Sequence, residues 1–181
     1  MKIYKIILII SLFYSLFSCN SDNKKKSYSG KNKDEPSLHI QGFCLTETLE
    51  GVKQWELKGE YADIYENKDL INIKKIEMLF YSSTEQYFSH LWAEDAELNT
   101  KTKDIFARNK VKVISRNNIE LETEKLTWNV NNQVFETDVP VKIVKKDSVL
   151  TGVGLKTNSG LENIKILNNV KVVTKERILN E

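Results

Sequence analysis

The sequence predicts an all-β domain of many short strands, and three observations predict it. Apolar and polar residues alternate at period two in run after run, the pattern of strands that bury one face. Stripes at helical spacing are weak throughout. Turn-forming clusters, Glu50-Gly51, Asn117-Asn118, Asn131-Asn132 and Asn158-Ser159-Gly160, punctuate the runs. With 181 residues, 40% of them hydrophobic and 29% charged, the chain has material for one domain with a core. A domain of this size buries roughly 68% of its unfolded surface and needs no disulfide or metal to fold.

Residues 1–18 read as an export signal. Lys2 and Lys5 supply a basic start, and residues 6–18 form an uncharged, mostly apolar run, shorter than the ~20 residues that span a bilayer. The run ends in Leu16-Phe17-Ser18-Cys19, which resembles a bacterial lipobox. That resemblance implies that Cys19 becomes the mature N-terminus and carries acyl chains that anchor it to a membrane. Residues 19–37 hold almost no apolar side chain and cannot offset the entropy of ordering, so they read as a flexible tether. Lys24, Lys25 and Lys26 lie near the anchor, where they either touch anionic headgroups or are simply solvated.

The domain proper covers residues 38–181. Its alternating runs are, in order, Trp55/Leu57, Ile71/Ile73, Val111/Val113, Ile119/Leu121/Thr123, Leu126/Trp128/Val130, Val139/Val141/Ile143, Val149/Thr151/Val153/Leu155, Ile164/Ile166 and Val170/Val172. Ile71, Ile73, Ile76 and Met78 change parity across Lys74-Lys75, which predicts a β-bulge or bend there. The Val-Lys-Val or Val-Lys-Ile triplets at Val111, Val141 and Val170 recur about every 30 residues, suggesting similar units laid side by side. Cys44, between Phe43 and Leu45 in a strand-like run, reads as a buried, inert thiol.

Composition excludes several functions. Once Lys2 and Lys5 leave with the signal, 25 of the 27 basic residues remain to balance 25 acidic ones, so no basic surface argues for nucleic acid. His39 and His90 are the only histidines, too few for a metal or histidine-based catalytic constellation, and no cofactor is expected. His90 and Ser89 are adjacent in a strand and so face opposite ways. Gly152-Val-Gly154 matches two glycines of a nucleotide-binding fingerprint, but Thr157 stands where the third is needed. Glu120, Glu122 and Glu124 share a strand face that reads as solvated, opposite Ile119, Leu121 and Thr123. No catalytic residue is expected.

A family likeness emerges from ordered segments. They are the stretch from Gly51 through Trp55 and Leu57 to Ala62; Trp92-Ala93-Glu94-Asp95-Ala96-Glu97-Leu98; the stretch from Ile105 to Val113; Leu121 to Trp128; Phe135 to Val141; and Leu150 to Leu155. In this order the chain resembles the LptC family, the periplasmic bridge component C of lipopolysaccharide export. Asn109-Lys110 departs from the family's usual Gly-Asn turn, and a lipobox replaces the transmembrane anchor of the best-known members.

The resemblance implies an open, twisted antiparallel β-jellyroll, OstA-like, whose apolar trough holds glycolipid acyl chains. Parity alone nominates Trp55, Leu57, Ile73, Met78, Val113, Leu121, Trp128, Val141, Ile143 and Val172 for its lining; the alternative is that these residues fill a closed core. The resemblance further implies two docking edges. The N-terminal one, at Ile40 and Gly51, would meet the permease subunits of an inner-membrane ABC transporter. The C-terminal one, at Ile164, Ile166 and Val170, would meet an LptA-like bridge protein by β-augmentation. The expected place is the periplasm, lipid-anchored and with the inner membrane favoured. The competing reading is a cell-envelope lipoprotein acting as an adhesin or assembly scaffold on a closed β-sandwich.

Overall fold

The computed structural model of the chain describes residues 35–82, 84 and 86–174. The export signal, Cys19 and most of the tether lie outside these residues, as do residues 175–181. The described chain forms nine strands: β1 (Leu38–Leu49), β2 (Val52–Tyr65), β3 (Leu70–Tyr81), β4 (Tyr87–Asn99), β5 (Ile105–Ser115), β6 (Ile119–Asn129), β7 (Val134–Lys145), β8 (Ser148–Asn158) and β9 (Lys165–Thr174). All belong to one sheet in chain order, each antiparallel to the next. Among the described residues β1 and β9 have one partner each, so the sheet is open, as expected. Ser37 marks its start: both its N–H and its hydroxyl donate to the Ile64 carbonyl.

The four turn clusters each fall at a hairpin. Glu50 and Gly51 join β1 to β2 with φ of 52° and 83°, left-handed values that glycine takes without strain. Asn117-Asn118 joins β5 to β6, Asn131-Asn132 joins β6 to β7, and Asn158-Ser159-Gly160 opens the link from β8 to β9.

The short alternating runs prove to be halves of longer strands. Ile119/Leu121/Thr123 and Leu126/Trp128 are both buried on β6, with the parity change at Glu124-Lys125, where pairing to β7 shifts register. Parity changes likewise between Gly59 and Ala62 on β2, Ala93 and Ala96 on β4, and Ile73 and Ile76 on β3. The last is the break expected at Lys74-Lys75, and Lys75 has φ of 50°. The flanking residues pair with one another across the sheet, Gly59 with Ile76 and Ile76 with Ala93, so the irregularities line up. A bulge bends and twists its strand. Aligned bulges let one face of the sheet close on itself.

That closure makes the core. Phe80 of β3 meets Trp128 of β6 and Phe135 of β7 at ring-centroid distances of 4.9 and 5.2 Å, both edge-on. Fully burying a large apolar side chain contributes about 1.5–3 kcal/mol, and this face holds about twenty such residues. The repeat of about 30 residues has a simple origin: Val111, Val141 and Val170 lie on β5, β7 and β9, so one period is one hairpin.

Three readings are corrected. Cys44 is exposed, because alternation that turns Phe43 and Leu45 toward the core turns Cys44 outward, opposite Lys58. Asn109-Lys110 is no turn. Both residues have positive φ inside β5, where they form its bulge. On β8 the buried positions are Gly152, Gly154, Leu155 and Thr157, not Val149, Thr151 and Val153, because Gly154 at φ of 76° shifts the parity.

Candidate functional site

Cross-strand partners project to the same face of a sheet, so the register identifies which side chains share a surface. One row crosses all nine strands: Leu45, Leu57, Met78, Leu91, Val113, Leu121, Ile143, Leu150 and Val172, each paired with the next. Every member is aliphatic or methionine. The row is sealed from Leu57 to Ile143, partly open at Leu45 and Leu150, and 60% exposed at Val172. A second row runs parallel to it through Leu38, Ile64, Ile71, Leu98, Ile105, Trp128 and Phe135. Between them lie Ala62, Ile73, Ala96, Ala107 and Leu126, where small side chains dominate.

The structure therefore brings the ten trough candidates onto one face. Trp55, Leu57, Ile73, Met78, Val113, Leu121, Trp128, Val141 and Ile143 are packed in the core, and Val172 stands exposed on the last strand. At one end a hollow of about 290 Å³ has a mixed lining, apolar at Leu49, Trp55, Phe80, Tyr81, Trp128 and Val130 and polar at Glu47, Gln54, Asn131, Gln133 and Ser159. Sequence reasoning missed Leu161, which is 1% exposed in the β8–β9 link. Its surroundings are a network centred on Asn158, whose side-chain oxygen accepts from the N–H of Glu162 and of Asn163. No periodic pattern marks a lone apolar residue in a loop.

The opposite face is charged. Cys44, Lys58, Glu77, Trp92, Lys112, Glu122, Lys142, Thr151 and Lys171 form the neighbouring row. Lys112 pairs with Glu120 at 2.7 Å and Lys142 with Glu122 at 2.8 Å. The Lys142 ammonium holds the Glu122 carboxyl below its ordinary range. A hollow of about 750 Å³ sets Lys112, Glu122, Lys142 and Lys171 around Val111, Pro140, Val153 and the trough candidate Val141. Its charged rim is largely paired, and its floor is apolar. Glu120 and Glu122 lie opposite Leu121, as the solvated-face reading requires. His90 stacks on Trp92 at 3.6 Å, whereas Ser89 is buried on the other face, so the two form no dyad.

The sheet edges match the expected docking segments. Ile40 lies on β1 and Gly51 at its turn; Ile164 precedes β9, and Ile166 and Val170 lie on it. Leu167, Val170, Val172 and Val173 are all exposed, an apolar edge of a kind that isolated proteins blunt with charge or cover.

An antiparallel sheet with one largely apolar face, whose edge strands β1 and β9 each have a single partner among the described residues, defines the class of open β-jellyrolls. A solved structure bears out the fold: that of LptH from Pseudomonas aeruginosa, described as the LptA-homologous periplasmic component of the conserved lipopolysaccharide transport device. It aligns with a TM-score of 0.53 and 6% identity, covering 67% of this chain and 95% of that one. The family model for lipopolysaccharide-assembly, LptC-related proteins matches residues 3–175, and the chain belongs to the LptC family. A search of the curated proteins returned no match. The family's members are periplasmic transport proteins rather than enzymes.

Proposed function

We propose that this protein is a periplasmic bridge subunit that accepts lipopolysaccharide or a related glycolipid from an inner-membrane ABC transporter and passes it to an LptA-like protein. The apolar row from Leu45 to Val172 carries the reading. It is packed shut from Leu57 to Ile143 and opens at Leu45, Leu150 and Val172 beside the two edge strands, which is where hydrocarbon passed between neighbouring subunits would meet it. Each methylene removed from water gains about 0.8 kcal/mol without directional preference, which suits a chain that must slide. In this reading β1, with Ile40 and Gly51, docks on the permease subunits. β9, with Ile164, Ile166 and Val170, adds a strand to the bridge protein. Cys19 and the tether hold the domain at the inner membrane. The chain's part is binding and transfer, with energy supplied by the transporter's ATPase.

The test is photo-crosslinking in cells with probes at Val113, Leu150 and Val172, compared with probes at Lys112 and Thr151 on the charged face. Capture of glycolipid from the first set and not the second is expected. Equal capture from both faces, or capture from neither, would overturn the reading and favour an envelope scaffold.

A further inference from the structure

Two indole N–H groups at one end of the fold have no acceptor among the described residues. Trp55 and Trp128 are 4% and 5% exposed, and the Nε1 of each is buried without a hydrogen-bond partner. Leaving a buried donor unpaired is unfavourable, and native proteins rarely do so. Both rings line the same 290 Å³ hollow, together with Phe80 and Tyr81. Their placement is enforced: Trp128 is held edge-on by Phe80 at 4.9 Å and packed on Phe135 at 5.0 Å, and Trp55 pairs with Phe80 across the β2–β3 ladder.

Which acceptor fits follows from the rest of the hollow. Its wall sets Trp55, Phe80, Tyr81, Trp128, Leu49 and Val130 beside the polar Gln54, Asn131, Gln133 and Ser159, so the ligand carries hydrocarbon next to polar groups. Glu47, the cross-strand partner of Trp55, puts a carboxylate at the rim, which disfavours a phosphate or a free carboxylate. A neutral carbonyl attached to hydrocarbon satisfies both conditions. We infer that Trp55 and Trp128 form a recognition site for the ester or amide carbonyls that join acyl chains to a glycolipid headgroup. This deepens the transport reading and rests on it: the hydrocarbon lies on the apolar face, and the linkage oxygens stop at the aromatic end. Both N–H groups are covered by protein atoms, so an acceptor reaches them by displacing a rim side chain.

The experiment measures retention of two probes by the full-length protein in detergent: dipalmitoyl glucosylglycerol, and its dihexadecyl ether analogue with matched chains and no carbonyl. The protein is expected to retain the diacyl probe roughly three- to tenfold more tightly, the yield of one or two hydrogen bonds. That preference should vanish in Trp55→Phe/Trp128→Phe, which keeps aromatic bulk, fall partway in each single variant, and persist in Trp92→Phe on the charged face. Thermal unfolding of each variant confirms that it is folded, and the single variants serve if the double one is not. Equal retention of both probes by the wild type, or a preference that survives in the folded Phe variants, overturns the inference while leaving lipid transport standing. Retention of neither probe by the wild type overturns both.

Discussion

Phe80 and Trp128 meet edge-on at 4.9 Å although they belong to the third and sixth strands of a sheet in which hydrogen bonds link only sequential strands. Their contact closes the apolar face on itself. Phe80→Ala or Trp128→Ala should cost about 3–5 kcal/mol in urea unfolding. A double-mutant cycle on the pair should give about 0.5–1.5 kcal/mol of coupling. Coupling indistinguishable from zero would mean that the two halves of the sheet are held elsewhere.

Gly59 sits where a Cβ would lie 2.5 Å from the Phe43 ring and 2.6 Å from Cγ2 of the buried Ile73. Gly59→Val should therefore displace both, loosening β2 from β1 and from β3. Hydrogen exchange is expected to rise on residues 38–49 first, with the strands from β4 onward still protected.

Val173 is 67% exposed on the free side of the sheet's last strand. Val173→Asp should leave the unfolding midpoint within about 0.5 kcal/mol of wild type while weakening capture of an LptA-like partner in pull-downs. A full loss of folding, or undiminished capture, would remove β9 as the donor edge.

Cys44 is exposed on β1, so it should react with a maleimide in the native state, as peptide mapping would show. If β1 is the edge that meets the transporter, the purified permease complex should slow that reaction. An unchanged rate would place the transporter contact elsewhere.

Burial holds the His90 imidazole below its ordinary value, with Glu77 opposing. Its Nε2 lies 2.7 Å from Glu77 Oε1. The unfolded chain therefore takes up a proton at His90 at a higher pH than the folded one. Stability is full above the ordinary imidazole value of about 6.5 and falls as pH drops below it. Asp95 is held below its ordinary range by Lys74 and Asn109. Its contribution is intact above the ordinary carboxylate value and is lost only as pH falls through the depressed folded one. Unfolding midpoints at about pH 7.5 and 5.5 should differ in the wild type and differ less in His90→Gln. An equal slope in the variant would assign the effect to other groups.

The pattern of the chain determined, without any coordinates, that the domain is all-β, where four of its hairpins turn, and much of the buried face outside β1 and β8, because alternation and turn chemistry are local. Ile119/Leu121/Thr123 and the break at Lys74-Lys75 were legible for that reason. Tertiary structure decided what no local rule carries. Bulges at Glu124-Lys125 and Gly154 join short runs into long strands, and so turn Val153 outward. The register aligns Leu45 with Val172 through seven intervening strands. The face then closes where Phe80 reaches Trp128, leaving two indole donors unpaired. Register and closure depend on contacts between residues dozens of positions apart, and such contacts are settled by the packing of the whole sheet rather than by the composition of any strand.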